Sequence, residues 1–235
     1  MFVFSNTNGY RPVIPIIKRV MEKTGVYNII DLCSGSGGGI ENIQSDISKA
    51  MGKEINITLS DKFPNIPAFK LIHEKNKKIN FINSEVDATN VPKDLNGFRT
   101  IFTAFHHFKP DMAELILKDA VDKQVPIAVF ELSNRGIIEI IKLFITVPIG
   151  MFLVTPFLRL MKLSKLLFTY IIPIIPICTI WDGIASILRV YFIEDLDELI
   201  NRIDSENYIW EKGIIKDNEG SGRRSFVYLI GYPKK

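Results

Sequence analysis

A glycine-rich turn between a buried strand and a helix constrains the fold of this chain more than any other feature. Residues 28–39 read NIIDLCSGSGGG, so that an apolar run ends on Asp31 and four glycines follow. A strand that enters a helix through such a turn leaves backbone N–H groups and a helix N-terminus open to a ligand. We therefore expect the ligand site of an α/β fold at this turn.

Strand and helix patterns alternate along the first 131 residues. Strands are predicted at 27–32, 55–61, 79–83, 99–105 and 126–131, and helices at 10–25, 38–51, 66–76 and 111–123. This alternation predicts a doubly wound, mostly parallel sheet with helices on its faces. A further helix at 193–203 and strands at 208–216 and 225–232 predict an antiparallel C-terminal hairpin, which completes seven strands.

Length and composition narrow the class of protein. A chain of 235 residues fits one α/β domain over 1–235 with an elaboration inside it. The net charge of +3 does not call for nucleic acid, and none is expected. Cys33 and Cys178 are too far apart in sequence to form a metal-ligand cluster, so no metal is expected. These cysteines, and an N-terminus without the pattern of an export signal, favour a cytoplasmic location.

Acidic and histidine residues follow successive predicted strands. Ligands of open α/β sheets bind outside the carboxyl ends of the strands, where Asp31, Asp61, Asp87 and the pair His106-His107 fall. A carboxylate after the second strand, such as Asp61, can accept both ribose hydroxyls of an adenosine. Asp87 follows the third strand and can accept the exocyclic amine of adenine. The pattern therefore predicts an adenosine-containing cofactor.

These segments resemble class I S-adenosylmethionine-dependent methyltransferases, in a bacterial subgroup of unsettled substrate. The resemblance rests on DLCSGSGG at 31–38, LSDKFPN at 59–65, VDA at 86–88, RTIFTAFHHF at 99–108 and WDGIASILRVY at 181–191. The first motif of these enzymes is usually written D/E-x-G-x-G-x-G. Here Cys33 stands at the first glycine position, while Gly35 and Gly37 fill the other two. The predicted hairpin also matches the last two strands of this family.

The resemblance implies that the chain binds S-adenosylmethionine and transfers its methyl group. The apolar segment at 137–181 leads us to expect a small, hydrophobic or lipid-like acceptor. Implied cofactor contacts are Asp31, Cys33, Ser34, Gly35, Gly37, Asp61, Lys62, Asp87, Ala88 and Phe105. His106 and His107 are the catalytic candidates, because an imidazole can take a proton from an acceptor hydroxyl. Positioning alone can supply much of the acceleration, so a base is optional.

Residues that could face the acceptor come from the end of the fifth strand and from the segment before the last helix. They are Glu131, Arg135, Trp181, Asp182, Arg189 and Tyr191. Arg189 would suit a carboxylate or phosphate on the acceptor. An ion pair between Asp182 and Arg189 that closes a lid is the competing interpretation.

An apolar insertion at 137–181 interrupts the order of strands and helices. Two charge-free runs, 143–158 and 166–181, are separated by Arg159, Lys162 and Lys165. Each run is shorter than the ~20 residues that span a bilayer. Four prolines, at 148, 156, 173 and 176, are expected to break any long straight helix. The insertion could be a buried lid, a homodimer face or an interfacial membrane element with its cations at the headgroups.

Three functions stay open on the sequence alone. The first is a methyltransferase, as the resemblance implies. The second is a non-catalytic S-adenosylmethionine-binding protein that the insertion anchors to a membrane or a partner. The third is a nicotinamide-dependent oxidoreductase, which would have a further parallel crossover in place of the terminal hairpin.

Overall fold

The computed structural model describes residues 9–132, 137–155, 163–216 and 225–234. The contacts divide the chain into two compact units. Residues 1–133 and 191–235 form the first unit, and residues 134–190 form the second. The sheet lies in the first unit, and the described part of the second is helical. The predicted insertion at 137–181 falls inside the second unit, which continues to residue 190.

A seven-stranded sheet forms the centre of the first unit. Its strands are β1 (Asn28–Asp31), β2 (Asn56–Leu59), β3 (Ile79–Phe81), β4 (Phe98–Phe102), β5 (Ile127–Leu132), β6 (Tyr208–Lys216) and β7 (Ser225–Pro233). They lie in the order β3-β2-β1-β4-β5-β7-β6. The first five strands are parallel, and β7 pairs antiparallel with both β5 and β6. This topology confirms the predicted fold class. The antiparallel hairpin of β6 and β7 stands where a nicotinamide-dependent oxidoreductase would have a further parallel crossover.

Helices cover both faces of the sheet because the strand residues alternate between two apolar clusters. The helices α1 (Ile14–Thr24), α2 (Ile40–Met51) and α3 (Ile66–Lys75) bury their apolar side chains in one cluster together with Ile29. The neighbouring Ile30 points to the other cluster, with α4 (Pro110–Asp122) and α8 (Ile193–Asn201). Alternation with a period of two places helices on both sides of the strands.

The strand predicted at 99–105 was too long at its carboxyl end. β4 ends at Phe102 because the next residue, Thr103, has a φ of +48°. This left-handed conformation is incompatible with an extended strand. A 3₁₀ turn over Phe105–His107 follows. The chain therefore turns at the edge of the sheet where the site was predicted.

A buried ion pair connects β4 to α4. The Arg99 side chain is 1% exposed, and its Nη1 lies 2.7 Å from Oδ2 of Asp119. Burial lowers the pKa of Arg99, and the neighbouring Asp119 carboxylate opposes this effect. Lys123 also donates to Asp119. A guanidinium that is removed from water needs such a partner.

The second unit contains α5 (Ile137–Val154), α6 (Leu163–Leu166), a π-helical turn (Leu167–Ile171) and α7 (Ile174–Arg189). α5 packs against α7. At Gly183 on α7, an added Cβ would lie 2.7 Å from the Leu143 side chain, so a glycine allows the two helices to approach closely.

The prediction that prolines break the helices of this segment was wrong at Pro148, which lies inside α5. Proline removes one backbone hydrogen bond and can kink a helix without ending it. Pro173 is the N-cap of α7, and Pro176 lies in its first turn, where N–H groups are unpaired in any helix. Pro156 lies outside the described residues.

Two elements of the second unit pass a length and composition test for membrane spans. α5 has 18 residues and a mean hydropathy of 2.2, and none of its residues is buried. The segments Leu163–Ile171 and Ile174–Arg189 pass only as a pair, which is bent by 71°.

Candidate functional site

A cavity of about 510 Å³ opens at the carboxyl ends of β1, β2 and β4. Its lining brings together the glycine-rich turn, the loop after β2 and the turn after β4. The lining residues are Tyr10, Asp31, Cys33, Ser34, Gly35, Gly37, Gly38, Ile40, Ile43, Asp61, Lys62, Phe63, Phe102, Thr103, Ala104, His107 and Phe108. Parallel strands end at one edge of a sheet, which explains why segments distant in sequence meet here.

The glycine-rich turn owes its shape to left-handed backbone conformations. Gly35 and Gly37 have φ values of +57° and +69°, which glycine adopts without strain. A Cβ at Gly37 would also lie 2.4 Å from Cδ1 of Ile72. Cys33 has a φ of +58°, so a residue with a side chain adopts the conformation for which glycine is favoured. Cys33 thus adopts the left-handed conformation that a glycine would adopt at this position of the motif, at a conformational cost of roughly 1–2 kcal/mol.

The Cys33 thiol is not suited to nucleophilic chemistry. Burial raises its pKa to about 12, and the nearby carboxylates of Asp61, Asp31 and Asp87 act in the same direction. The thiolate is the nucleophilic form of cysteine. Cys33 therefore acts as a wall of the cavity and not as a reactive group.

Asp31 is a buried carboxyl group at the end of β1. Its oxygens accept hydrogen bonds from Ser34 Oγ at 2.6 Å and from Thr100 Oγ1 at 3.0 Å. Burial raises the pKa of Asp31 to about 7, and these two hydroxyl donors limit the rise. Asp31 is therefore a cavity-lining acid whose charge can respond to a cationic ligand.

Asp61 is held by backbone donors from two different loops. Its Oδ2 accepts the Gly35 N–H at 2.7 Å, and its Oδ1 accepts the Phe63 N–H at 2.8 Å. A carboxylate has about four acceptor positions, so each oxygen can accept a further hydrogen bond. The orientation is fixed by the backbone, while acceptor capacity is left for two hydroxyl groups.

Lys62 lines the cavity, whereas Asp87 and Ala88 are not among its lining residues. The Lys62 ammonium lies 2.7 Å from Oδ2 of Asp87. Oδ1 of Asp87 accepts both the N–H and the hydroxyl of Thr89. The hydrogen bond from Lys62, with those from Thr89, lowers the pKa of Asp87 to about 2. Asp87 is thus an ionised partner of a cavity-lining lysine.

The two adjacent histidines have different surroundings. His107 is exposed and lines the cavity. His106 is buried, and its Nδ1 lies 2.7 Å from Oε2 of Glu131. The ring centroids of the two histidines are 4.2 Å apart. The fold therefore places the His107 imidazole at the cavity and the His106 imidazole behind it.

Three further residues with a predicted site role, Phe105, Glu131 and Tyr191, are absent from the cavity lining. Phe105 belongs to the turn after β4, and the other two support that turn. Oε1 of Glu131 accepts the backbone N–H groups of Phe105 at 2.6 Å and His106 at 3.3 Å. The Tyr191 hydroxyl donates to the Phe108 carbonyl at 2.8 Å, and its ring packs on Phe105 with centroids 5.2 Å apart. Burial raises the pKa of Tyr191 to about 12, so it stays a neutral donor.

The remaining predicted acceptor contacts belong to the second unit. Trp181, Asp182 and Arg189 lie on α7, and all three side chains are exposed. Among the described residues, Asp182 and Arg189 form no ion pair with each other, which the lid-closing interpretation would need. Arg135 lies outside the described residues.

Sequence reasoning missed two polar residues of the cavity wall. The Tyr10 hydroxyl and Thr103 Oγ1 are 2.8 Å apart. The Tyr10 ring also packs against Phe102, with centroids 5.1 Å apart. Tyr10 is separated from Thr103 by 93 positions, and no motif marks it. Thr103 could have been found from its place at the end of a predicted strand, beside the histidines.

No protein-family model and no curated protein matches this chain. Solved structures do. The plantazolicin methyltransferase BamL, in complex with a triazolic desmethylPZN analog and SAH, matches with a TM-score of 0.56 and 14% identity, over 99% of this chain and 89% of that one.

Two further solved structures agree with this result. BpumL, another plantazolicin methyltransferase in complex with SAH, matches with a TM-score of 0.54 and 13% identity, over 97% and 83% of the two chains. The methyltransferase domain of bacterial CtHen1 matches with a TM-score of 0.52 and 12% identity, over 95% and 99%. The chain thus has the class I S-adenosylmethionine-dependent methyltransferase fold that its motifs predict.

Proposed function

We propose that the chain is an enzyme that transfers the methyl group of S-adenosylmethionine to a small, hydrophobic acceptor. The observation that carries this proposal is the geometry of Asp61. Its carboxylate faces the cavity at the end of β2 and is fixed by the backbone of both the glycine-rich turn and its own loop. The fold of the solved methyltransferases supports the same conclusion.

The described residues fit this cofactor. Asp61 would accept the two ribose hydroxyls, and Asp31 would face the cationic amino-acid part from the end of β1. The backbone at Gly35 and Gly37 carries no side chain that would keep the cofactor away. Lys62 lines the cavity and would lie toward the adenine, with Asp87 as its ionised partner. When bound, S-adenosylmethionine supplies an electrophilic methyl group on a sulfonium.

His107 is the side chain best placed to receive a proton from an acceptor. It lines the cavity, whereas His106 packs behind it on Glu131. In this proposal His106 and Glu131 are positioning residues, because they fix the turn that carries His107. Methyl transfer to a hydroxyl releases one proton, and an exposed imidazole can pass that proton to solvent.

Aromatic side chains make the cavity suitable for an apolar acceptor. Tyr10, Phe63, Phe102 and Phe108 line it, together with aliphatic side chains of α2. Binding pockets for small molecules are mostly apolar, with a few polar groups that set orientation. The Tyr10–Thr103 pair would provide such an orienting group.

The proposal is tested with the full chain by calorimetry with S-adenosylmethionine and by an assay for S-adenosylhomocysteine release with a panel of hydrophobic phenols, acids and lipids. Binding together with acceptor-dependent release is the expected result. Binding without release across the panel would favour a non-catalytic binding protein. A chain that binds neither S-adenosylmethionine nor S-adenosylhomocysteine would overturn the proposal.

A further inference from the structure

The described part of the second unit exposes many large apolar side chains. No residue of α5 is buried, although the helix is apolar over most of its length. Leu163, Ile171 and Trp181 are each at least 75% exposed. So many exposed apolar side chains on two helices that pack against each other point to an interaction site.

Three exposed hydroxyl groups of this unit bond to its own backbone. Thr146 and Thr179 each donate to the carbonyl of the residue four positions earlier, at 2.8 Å. The Tyr170 hydroxyl donates to the carbonyl of Phe152. All three side chains lie on exposed surface, where water could have accepted these hydrogen bonds instead. Internal satisfaction of polar groups is what an apolar solvent requires.

The charges of the segment have one sign. Between Glu139 and Asp182 the sequence contains no acidic residue, and its charged residues are Lys142, Arg159, Lys162 and Lys165. The two acids stand where the apolar segment begins and ends, and Glu139 pairs with Lys142 at 2.7 Å. An apolar element with only basic residues is complementary to anionic headgroups.

The length of the apolar helix limits how deep it can reach. The charge-free run at 143–158, which includes the last twelve residues of α5, contains 16 residues. At 1.5 Å per residue a helix of that length is roughly 24 Å long, against a hydrocarbon core of about 30 Å. α7 carries Asp182 within it, which also opposes a complete span. These lengths favour burial in one leaflet.

We propose that the second unit docks on an anionic lipid bilayer. The exposed apolar side chains of α5 and α7 enter the headgroup and acyl boundary of one leaflet, and Lys165 contacts the lipid phosphates. This docking is separate from methyl transfer and would hold for a chain without catalytic activity.

The test uses the full chain and two kinds of vesicle, phosphatidylcholine alone and phosphatidylcholine mixed with phosphatidylglycerol. The chain is expected to float with the mixed vesicles and to bind the neutral ones more weakly. Lys165→Gln should weaken binding to the mixed vesicles by about 5-fold, as expected for one basic residue near the surface. The double variant Phe144→Ser, Ile149→Ser should weaken binding to both kinds of vesicle by at least ~10-fold.

Leu71→Ser is the matched control, since Leu71 is 60% exposed on α3 of the first unit. Its flotation should equal that of the unchanged chain. Thermal unfolding of each variant verifies the fold independently of cofactor binding and activity.

Three results would overturn the proposal. One is recovery of the unchanged chain in the unbound fraction with both vesicles. Another is an apolar double variant that converts a dimer to a monomer in sedimentation but leaves flotation unchanged, because the surface would then serve a second copy. The last is cleavage by trypsin enclosed in the vesicles at the basic residues 159–165, which would place them across the bilayer.

Discussion

The Asp61 carboxylate accepts the backbone N–H of Gly35 at 2.7 Å, across 26 positions of sequence. This bond joins the turn after β1 to the loop after β2, so the two walls of the cavity are held in one arrangement. It also turns the carboxylate toward the cavity before any ligand arrives, which lowers the entropic cost of binding. The following predictions depend on this arrangement and on its neighbours.

Asp61→Ala should weaken binding of S-adenosylmethionine by tenfold or more. Each charged hydrogen bond to a ribose hydroxyl is worth roughly 1.5–3 kcal/mol. Titration calorimetry with S-adenosylmethionine measures the change. Asp94→Ala removes an exposed carboxylate outside the cavity lining and should leave the affinity unchanged. Equal affinities of the two variants would contradict the proposed role of Asp61.

Cofactor binding should release protons near neutral pH because of Asp31. Burial raises the pKa of this carboxyl group from 3.8 to about 7, so it is partly protonated in the free protein. A bound cation favours the carboxylate, and affinity should therefore rise as the pH increases through about 7. Calorimetry in two buffers of different ionisation enthalpy detects the released protons. Asp31→Asn should abolish this release.

The same group gives a stability prediction of opposite sign. The protonated form of Asp31 is favoured in the folded state, so its contribution to stability is present below pH 3.8 and is lost as the pH rises to about 7. In Asp31→Asn this loss should be absent. Urea unfolding at several pH values compares the two chains, and parallel profiles would contradict the assignment.

Cys178 should react with iodoacetamide at least about tenfold faster than Cys33 at pH 8, because only the thiolate is nucleophilic. Cys178 is exposed, while Cys33 is partly buried with a pKa raised to about 12. Mass spectrometry of labelled peptides gives the two rates. In urea the rates should converge, and a persistent difference there would show that the fold is not its cause.

Asp119→Ala should lower the free energy of unfolding by about 3–5 kcal/mol, because it leaves the buried Arg99 guanidinium without its partner. Urea denaturation measures the loss. Glu114→Ala is the control, since Glu114 faces Arg202 at 3.8 Å in a pair that is largely exposed. Such a pair is worth at most about 1 kcal/mol. Similar losses in both variants would be inconsistent with a special cost at Arg99.

Glu131→Gln should reduce methyl transfer while leaving S-adenosylmethionine affinity within about twofold. Glu131 is absent from the cavity lining, and it holds His106 and the turn before His107. The amide keeps its oxygen acceptor but loses the charge, so the turn is held less firmly. Initial-rate kinetics separates the two effects. His107→Ala should lower the rate further, and a normal rate there would exclude His107 as the base.

The sheet was predictable because its signals are local. Strand alternation, the glycine-rich turn and acids at strand ends can each be read within a few residues, and they place Asp31, Gly35 and Asp61 at one cavity. The histidine pair could not be resolved in this way. Which of two adjacent side chains faces a cavity depends on the partner behind it, here Glu131, 25 residues further along.

Other features depend on contacts that leave no trace in the sequence. Tyr10 meets Thr103 through the packing of a distant N-terminal segment on the sheet. α5 continues through Pro148 even though proline is the strongest local signal against a helix. Local propensity therefore predicts neither the contact between Tyr10 and Thr103 nor the continuation of α5 through Pro148.

The two side chains that support the turn after β4, Glu131 and Tyr191, stand where the chain leaves and rejoins the first unit. Glu131 stands just before residue 134, where the second unit begins, and Tyr191 is the first residue after it ends. Both residues that support the turn beside His107 therefore lie, along the sequence, within three positions of a boundary between the units.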